Sequence, residues 1–207
     1  MHLLLTDDLC CPRCGPAFGL ILLADELEEK RLLGGDLGCA NCRERYPVRE
    51  GFADLRPPPA DSPDDAGELP EGDAEEAFRL AALLGVGEGP AVLLLLGDPA
   101  GQAERMSRLL DEVEVVGAHP ALRGQPELAG VSRMMLGLPF PFRGGTLAGV
   151  ACQGERPAEE LTEVVRVLRP GGRVVWRHPP EGAGARLEGL GLELLLQTRK
   201  AVVASLT

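Results

Sequence analysis

The sequence is poor in histidine, in basic charge and in long apolar runs. His2, His119 and His178 are the only histidines in 207 residues, so a Ser/His or Cys/His nucleophile pair has few bases to draw on. Lys and Arg number 21 against 32 Asp and Glu, a net charge of −11. A general grip on nucleic acid is therefore not expected, because it depends on basic side chains displacing phosphate counterions. Apolar runs such as Ala91–Leu96 fall far below the ~18 residues that cross a bilayer. The N-terminal stretch Met1-His2-Leu3-Leu4-Leu5-Thr6-Asp7-Asp8 is acidic, with too short an apolar run for a signal peptide. No membrane partner and a cytoplasmic, reducing compartment follow, in which cysteines are more often metal ligands than disulfides. Aromatic residues make up only 3 %, yet 44 % apolar residues are enough for a sizeable core.

Three composition regimes divide the chain. Residues 1–56 hold five of the six cysteines and a charge of −3; residues 57–77 hold eight acids and no base; residues 78–207 are balanced, with 14 of each sign. Residues 57–72, opening Pro57-Pro58-Pro59-Ala60-Asp61-Ser62-Pro63-Asp64-Asp65, read as a self-repelling, extended linker. From 73 to 207, apolar runs alternate with helical patterns, as in a parallel α/β sheet. Strands are expected at Ala91–Leu96, Val113–Gly117, Val131–Leu136, Leu147–Cys152 and Arg173–Trp176. Helices are expected at about 73–84, 101–111, 158–168 and 183–189. Leu192–Gln197 and Arg199–Ala204 would close the sheet as an antiparallel hairpin, for seven strands in all.

Cys11-Pro12-Arg13-Cys14-Gly15 and Cys39-Ala40-Asn41-Cys42 form two CxxC knuckles separated by 24 residues. Two residues between cysteines let both thiolates of a tight turn face one centre, and a second knuckle completes a tetrahedral four-sulfur site suited to Zn²⁺. Four thiolates leave no open coordination position, so the ion would be structural. A redox pair or four unrelated cysteines are the plainer alternatives. Between the knuckles, Ala17–Leu27 and Lys30–Leu33 read as two strands, which makes the module a zinc ribbon too small to fold without its metal. Cys10 would ligate only by distorting the first knuckle and is read as a non-ligand; Cys152 is read as a core residue.

With Leu9, the Gly35-Asp36-Leu37-Gly38 run and Tyr46-Pro47-Val48-Arg49-Glu50-Gly51-Phe52, these knuckles resemble the zinc-ribbon activator subunits of tRNA, rRNA and release-factor methyltransferases. Ala53 stands where that family usually has proline. The resemblance spans residues 3–56 and implies a ribbon without chemistry of its own, which covers apolar surface on a methyltransferase. Further on, Leu161-Thr162-Glu163-Val164-Val165-Arg166-Val167-Leu168-Arg169-Pro170-Gly171-Gly172-Arg173-Val174-Val175 resembles the late helix and RVLRPGG turn of class I S-adenosylmethionine-dependent methyltransferases. Leu138-Pro139-Phe140-Pro141 resembles that family's LPFPD segment. Together they imply a Rossmann-like, seven-stranded sheet behind the ribbon.

The resemblance would place cofactor contacts at Gly97, Asp98, Gly101 and His119, and these positions depart from the family. In Leu93-Leu94-Leu95-Leu96-Gly97-Asp98-Pro99-Ala100-Gly101, the usual acidic residue is Leu95 and the middle glycine is Pro99. Proline has no N–H and cannot adopt a positive φ. Asp98 adds negative charge near the cofactor's carboxylate, and His119 stands where the family has the ribose-binding acid. Ala148 replaces a strand-four aspartate, and Gln153–Pro157 is a short loop. The departures fall on cofactor and substrate positions while the architectural turn survives. The expectation is a methyltransferase-like scaffold or regulatory partner without catalysis, whose ribbon docks on its own sheet and which engages a protein partner. An active methyltransferase with a remodelled loop and a binding module using the knuckles on RNA or protein are the alternatives. His178, just past strand five, is the spare candidate for chemistry.

Overall fold

The computed structural model describes residues 1–59 and 67–207; the middle of the expected linker, 60–66, lies outside the described residues. A 3-10 turn, Leu3–Asp8, leads into β1 (Cys10–Cys11), which pairs antiparallel with β2 (Gly15–Gly19). An antiparallel meander follows, of β3 (Ile21–Glu28), β4 (Arg31–Gly38), β5 (Arg45–Arg49) and β6 (Phe52–Leu55). The two strands expected here are therefore corrected. The first is split at Leu20, where the chain leaves β1 and starts pairing with β4, and two short strands are added after the second knuckle. A register shift between Ala24 and Glu26 accompanies Gly35 at φ +143°, where a Cβ would run into the Leu23 carbonyl. Only glycine fits that bulge.

The remaining chain runs α1 (Ala74–Leu84), β7 (Glu88–Leu96), a 3-10 turn at Asp98–Gln102, α2 (Ala103–Leu109), β8 (Asp111–Ala118), β9 (Val131–Leu136) and β10 (Leu147–Gln153). It ends with α3 (Ala158–Val167), β11 (Leu168–Arg177), α4 (Ala183–Gly189), β12 (Leu192–Gln197) and β13 (Ala201–Leu206). The α1 helix starts where the Asp73 carboxylate accepts the Glu76 N–H at 3.0 Å and stops at Gly85, φ +70°. Both signals are local and sequence-readable. The seven expected strands are present, with two adjustments. β11 begins early because Leu168 already pairs with Leu147, after which Pro170-Gly171-Gly172 bulges out before Arg173 meets Gly149. β13 starts at Ala201 because the Thr198 hydroxyl accepts the N–H groups of Lys200 and Ala201 and holds 198–200 in a turn.

All but β1 and β2 lie in one eleven-stranded sheet, ordered β12-β13-β11-β10-β7-β8-β9-β6-β5-β4-β3. The block β11-β10-β7-β8-β9 is parallel and β13 runs against it. The ribbon joins through β6, parallel to β9, with Phe52, Ala53, Asp54 and Leu55 opposite Arg133, Met134, Met135 and Leu136. An otherwise open strand edge is thereby covered from within the chain. Alternation along β7 sends Leu93 and Leu95 toward α1 and α2, and Leu94 and Leu96 to the opposite face with α3 and α4. That second core continues without a break into the ribbon, through Met134, Ala53, Leu55, Val48 and Leu37. The ribbon thus shares its core with the sheet.

Buried charge fixes the junction. Arg31 of β4 places Nε 2.6 Å from Glu127 Oε1 and Nη1 2.9 Å from Glu114 Oε1, and it also donates to the Val131 carbonyl. Arg133 of β9 donates to Glu127 Oε2 at 2.8 Å and to the Glu50 carbonyl at 2.5 Å. The Met1 ammonium reaches Glu127 Oε1 at 2.8 Å. Glu127 therefore accepts from three groups; burial pushes it up, but the Met1 amino group and then the Arg133 and Arg31 guanidiniums carry it below the ordinary carboxylate range, while burial lowers the Met1 amino group itself to about 6. No helix among the described residues is long and apolar enough to cross a membrane.

Candidate metal centre and cofactor cleft

The two knuckles bring Cys11, Cys14, Cys39 and Cys42 together, their Sγ atoms all within 4.8 Å of one another. Cys11 and Cys42 are 3.7 Å apart and Cys14 and Cys39 are 3.9 Å apart. A tetrahedron with Zn–S bonds of 2.3 Å has sulfur–sulfur edges of about 3.8 Å, so the donor set matches a zinc ion in kind, number and spacing. Gly15, at φ +86° with open space at its Cβ position, closes the first knuckle. The second is closed by Arg43 N–H to the Cys39 carbonyl and Cys39 N–H to the Glu44 carbonyl, both 2.9 Å. Arg13 and Glu44 form an ion pair across the two turns.

N–H groups already point at the sulfurs, Cys14 N to Cys11 Sγ at 3.4 Å and Asn41 Nδ2 to Cys14 Sγ at 3.3 Å, and Tyr46 lies with its hydroxyl 3.4 Å from Cys11. Burial raises the Cys11 thiol, but the Tyr46 hydroxyl and nearby N–H groups outweigh it and hold the group at about 7. At Cys42 a backbone N–H favours the thiolate, while burial and the neighbouring sulfurs push the group up to about 12. Four thiols sharing one centre cannot all ionise unless a cation shares it with them. Cys10 is buried outside the group, and Cys152 is buried in β10 with its thiol pushed up to about 12 by desolvation.

At the other pole, β7 ends at Leu96 and Gly97 turns the chain at φ +72°, its N–H donating to the Ala118 carbonyl at 3.1 Å. Residues Asp98–Gln102 then wind as a 3-10 turn with Pro99 and Ala100 buried. The Asp98 carboxylate accepts Gln153 Nε2 at 2.7 Å, and Gln153 belongs to the end of β10. Arg156, from the short loop before α3, donates through Nε to the Gln153 carbonyl at 3.0 Å and through Nη1 to Glu160 at 2.9 Å. Its Nη2 lies only 3.1 Å from where a Cβ on Gly97 would stand. Gly101, in turn, lies against the Pro70 carbonyl, and Gln102 accepts the Asp73 N–H at 3.0 Å. The glycine loop thus packs against the chain's own guanidinium on one side and its own pre-α1 segment on the other.

Of the four expected cofactor residues, Gly97 and His119 line one cavity of about 270 Å³, together with Met135, Leu138, Phe140, Arg156 and Glu160. Asp98 and Gly101 are directed elsewhere, to Gln153 and to Pro70. His119 accepts the Ala121 N–H on Nδ1 at 3.1 Å and so starts the 3-10 turn Pro120–Leu122. Burial lowers its pKa, opposed in part by the Asp98 charge. Leu95 and Ala148 are fully packed strand residues. In the sequence Gln153–Pro157 reads as a short loop at a substrate position, with neither Gln153 nor Arg156 singled out, and Glu160 carries no signal at all. They are ordinary polar residues, and only tertiary folding carries them back, across 56 to 63 positions, to the Gly97 end of the sheet.

No family model matches the sequence, and no curated protein does. Solved structures do match the fold. A precorrin-6y C5,15-methyltransferase from Geobacter metallireducens aligns at TM-score 0.51 and 14 % identity, over 64 % of this chain and 88 % of that one. A complex between the Haloferax volcanii Trm112 methyltransferase activator and a methyltransferase gives TM-score 0.50 and 16 % identity, over 64 % and 88 %. The tRNA (m1A58) methyltransferase TrmI from Aquifex aeolicus gives 0.50 and 13 %, over 70 % and 73 %. The chain has a methyltransferase-like, Rossmann-type fold with a cysteine cluster in its N-terminal part.

Proposed function

We propose that this chain is a non-catalytic, methyltransferase-like scaffold or regulatory partner protein that works in the cytoplasm with a zinc ion held by Cys11, Cys14, Cys39 and Cys42. The ion closes both knuckles and, through the shared core, holds β3–β6 on the edge of the sheet. The residues at the Gly97 loop do not fit S-adenosylmethionine. The observation that carries this reading is the Asp98–Gln153–Arg156 contact set. In it Asp98 is spent on Gln153, Gln153 holds Arg156, and Arg156 stands beside Gly97, while the Pro70 carbonyl occupies the approach to Gly101. A glycine loop binds a cofactor by offering bare backbone. Here Arg156 crowds Gly97, the Pro70 carbonyl covers Gly101, and Pro99 removes one N–H.

The similarity to a methyltransferase solved with its activator supports a protein partner as the thing regulated. In this chain the ribbon is tethered to its own sheet, which raises its effective concentration at the β9 edge and leaves the outer surfaces free. Domain limits of 1–56, 57–72 and 73–207 are proposed on the same grounds. Calorimetric titration of the zinc-loaded chain with S-adenosylmethionine tests the reading. No saturable heat is expected at 1 mM ligand, a limit of about −4 kcal/mol, and a micromolar dissociation constant overturns it. One observation favours the alternative of an active methyltransferase with a remodelled loop: the 270 Å³ cavity at the carboxyl ends of β7, β8 and β9, the end at which open α/β sheets bind ligands. Methyl transfer from that cofactor to any substrate would establish it.

A further inference from the structure

The carboxyl end of β11 borders a cavity that neither the metal centre nor the Gly97 cleft uses. It measures about 520 Å³ and lies between α1, the end of β11 and the β12–β13 hairpin. That size is within the range of small-molecule sites. Leu80, Leu83 and Ala201 supply apolar wall, Arg79, Arg177 and Lys200 supply cationic groups, His178 adds an imidazole and Glu76 a carboxylate.

Two of those cations are already balanced. Arg177 Nη2 is 2.9 Å from Glu76 Oε1, Arg79 Nη1 is 3.2 Å from Glu76 Oε2, and Arg79 Nη2 is 2.7 Å from Glu75. Two guanidiniums and two carboxylates form a ladder that holds Arg177 in place. The side chains of Lys200 and His178 have no hydrogen bond or ion pair among the described residues. The fold nevertheless sets these two side by side. The His178 N–H donates to the Lys200 carbonyl at 2.8 Å, and the Thr198 hydroxyl accepts the Lys200 N–H at 3.2 Å. His178 itself stands at φ +42°, a conformation uncommon for a side chain of its size.

We infer that this cavity binds a phosphate monoester with a compact apolar body. A dianion with three acceptor oxygens matches an unpaired ammonium and an imidazole beside a fixed guanidinium better than a single carboxylate does. The apolar wall of Leu80, Leu83 and Ala201 accounts for an ester group in place of inorganic phosphate. The location at the carboxyl end of the sheet is where ligands enter open α/β folds.

The test is an NMR titration of the full zinc-loaded chain with phenyl phosphate at low ionic strength, with inorganic phosphate and benzoate as parallel probes. Saturable binding of phenyl phosphate below about 1 mM is expected, with the other two about tenfold weaker. Lys200→Met and His178→Asn should each weaken phenyl phosphate about tenfold, the loss expected of one charge-assisted hydrogen bond. Arg199→Met, at a neighbouring position that lines a different cavity, should leave it unchanged. Absence of saturable binding overturns the proposal. So does benzoate or inorganic phosphate binding as tightly as phenyl phosphate, or Arg199→Met weakening the ester as much as Lys200→Met.

Discussion

The knuckles of the ribbon and the Gly97 loop of the sheet domain are both short turns of the kind that place groups around a ligand, and they differ in what surrounds them. At the knuckles the four sulfurs keep sulfur–sulfur distances of 3.7 and 3.9 Å, and N–H groups point at them. At the Gly97 loop the polar groups point at one another: Asp98 at Gln153, Arg156 at Gln153 and Glu160. A site built for a guest leaves donors or acceptors directed at an empty centre, whereas a site given over to structure satisfies them internally. On the proposed reading the first pole holds its metal and the second has become packing, even though the sheet around it keeps a methyltransferase-like fold.

Removing the metal breaks this contrast most severely. Cys39→Ser, or chelation of the zinc, is expected to abolish one zinc per chain by metal analysis. It should also release hydrogen-exchange protection in β3–β6 and along β9, with α1 and β10 retaining theirs. Metal binding in such small modules is worth on the order of 10 kcal/mol, and the ribbon has no separate core to fall back on. Retained ribbon protection without metal would show that the shared core suffices.

Next in size is the junction. Glu127→Ala leaves the Arg31 and Arg133 guanidiniums and the Met1 amino group buried around a missing carboxylate, and breaking a buried pair in this way costs about 3–5 kcal/mol. Urea unfolding measures it, and a loss under 1 kcal/mol would mean that water replaces the carboxylate. The pH dependence has a definite sign. The folded pKa of Glu127 is lowered, so its contribution is complete above the unfolded carboxylate pKa of about 4.3. It fades as pH falls through the folded value. Glu127→Gln should flatten that acid limb of the stability profile.

Smaller effects sharpen the other pole. Arg156→Ala removes contacts to Gln153 and Glu160 near the surface, and about 1 kcal/mol of stability is expected to go with them. With Pro99 and the Gly101–Pro70 contact still in place, the variant should gain no binding of S-adenosylmethionine by calorimetry. Micromolar binding in Arg156→Ala alone would identify that guanidinium as the single obstacle. His119→Ala is expected to cost about 1 kcal/mol in thermal unfolding, the loss of one cap, and to change nothing else.

Much of the fold was legible because its signals are local. The CxxC pairs, the helix start at Asp73 and stop at Gly85, the all-leucine stretch of β7 and the Pro170-Gly171-Gly172 bulge each sit within a few residues of what they specify. What the sequence concealed was long-range. Phe52-Ala53-Asp54-Leu55 is too short and mixed to read as a strand, and it becomes one only because β9 offers a free edge. Arg31 and Glu127 are 96 positions apart, and no spacing rule connects them. At the Gly97 loop, the substitutions at 95, 98 and 99 could be read directly. The short Gln153–Pro157 loop could be read too, but not that Arg156 folds back beside Gly97 or that the Pro70 carbonyl meets Gly101.

The most direct measurement is a crystal structure of the zinc-loaded chain grown with saturating S-adenosylmethionine. Arg156 and Gln153 seen over Gly97 and Asp98, with no cofactor between them, is the predicted result. Cofactor density against Gly97–Gly101, with the Arg156 side chain swung away from Gly97, would contradict the account.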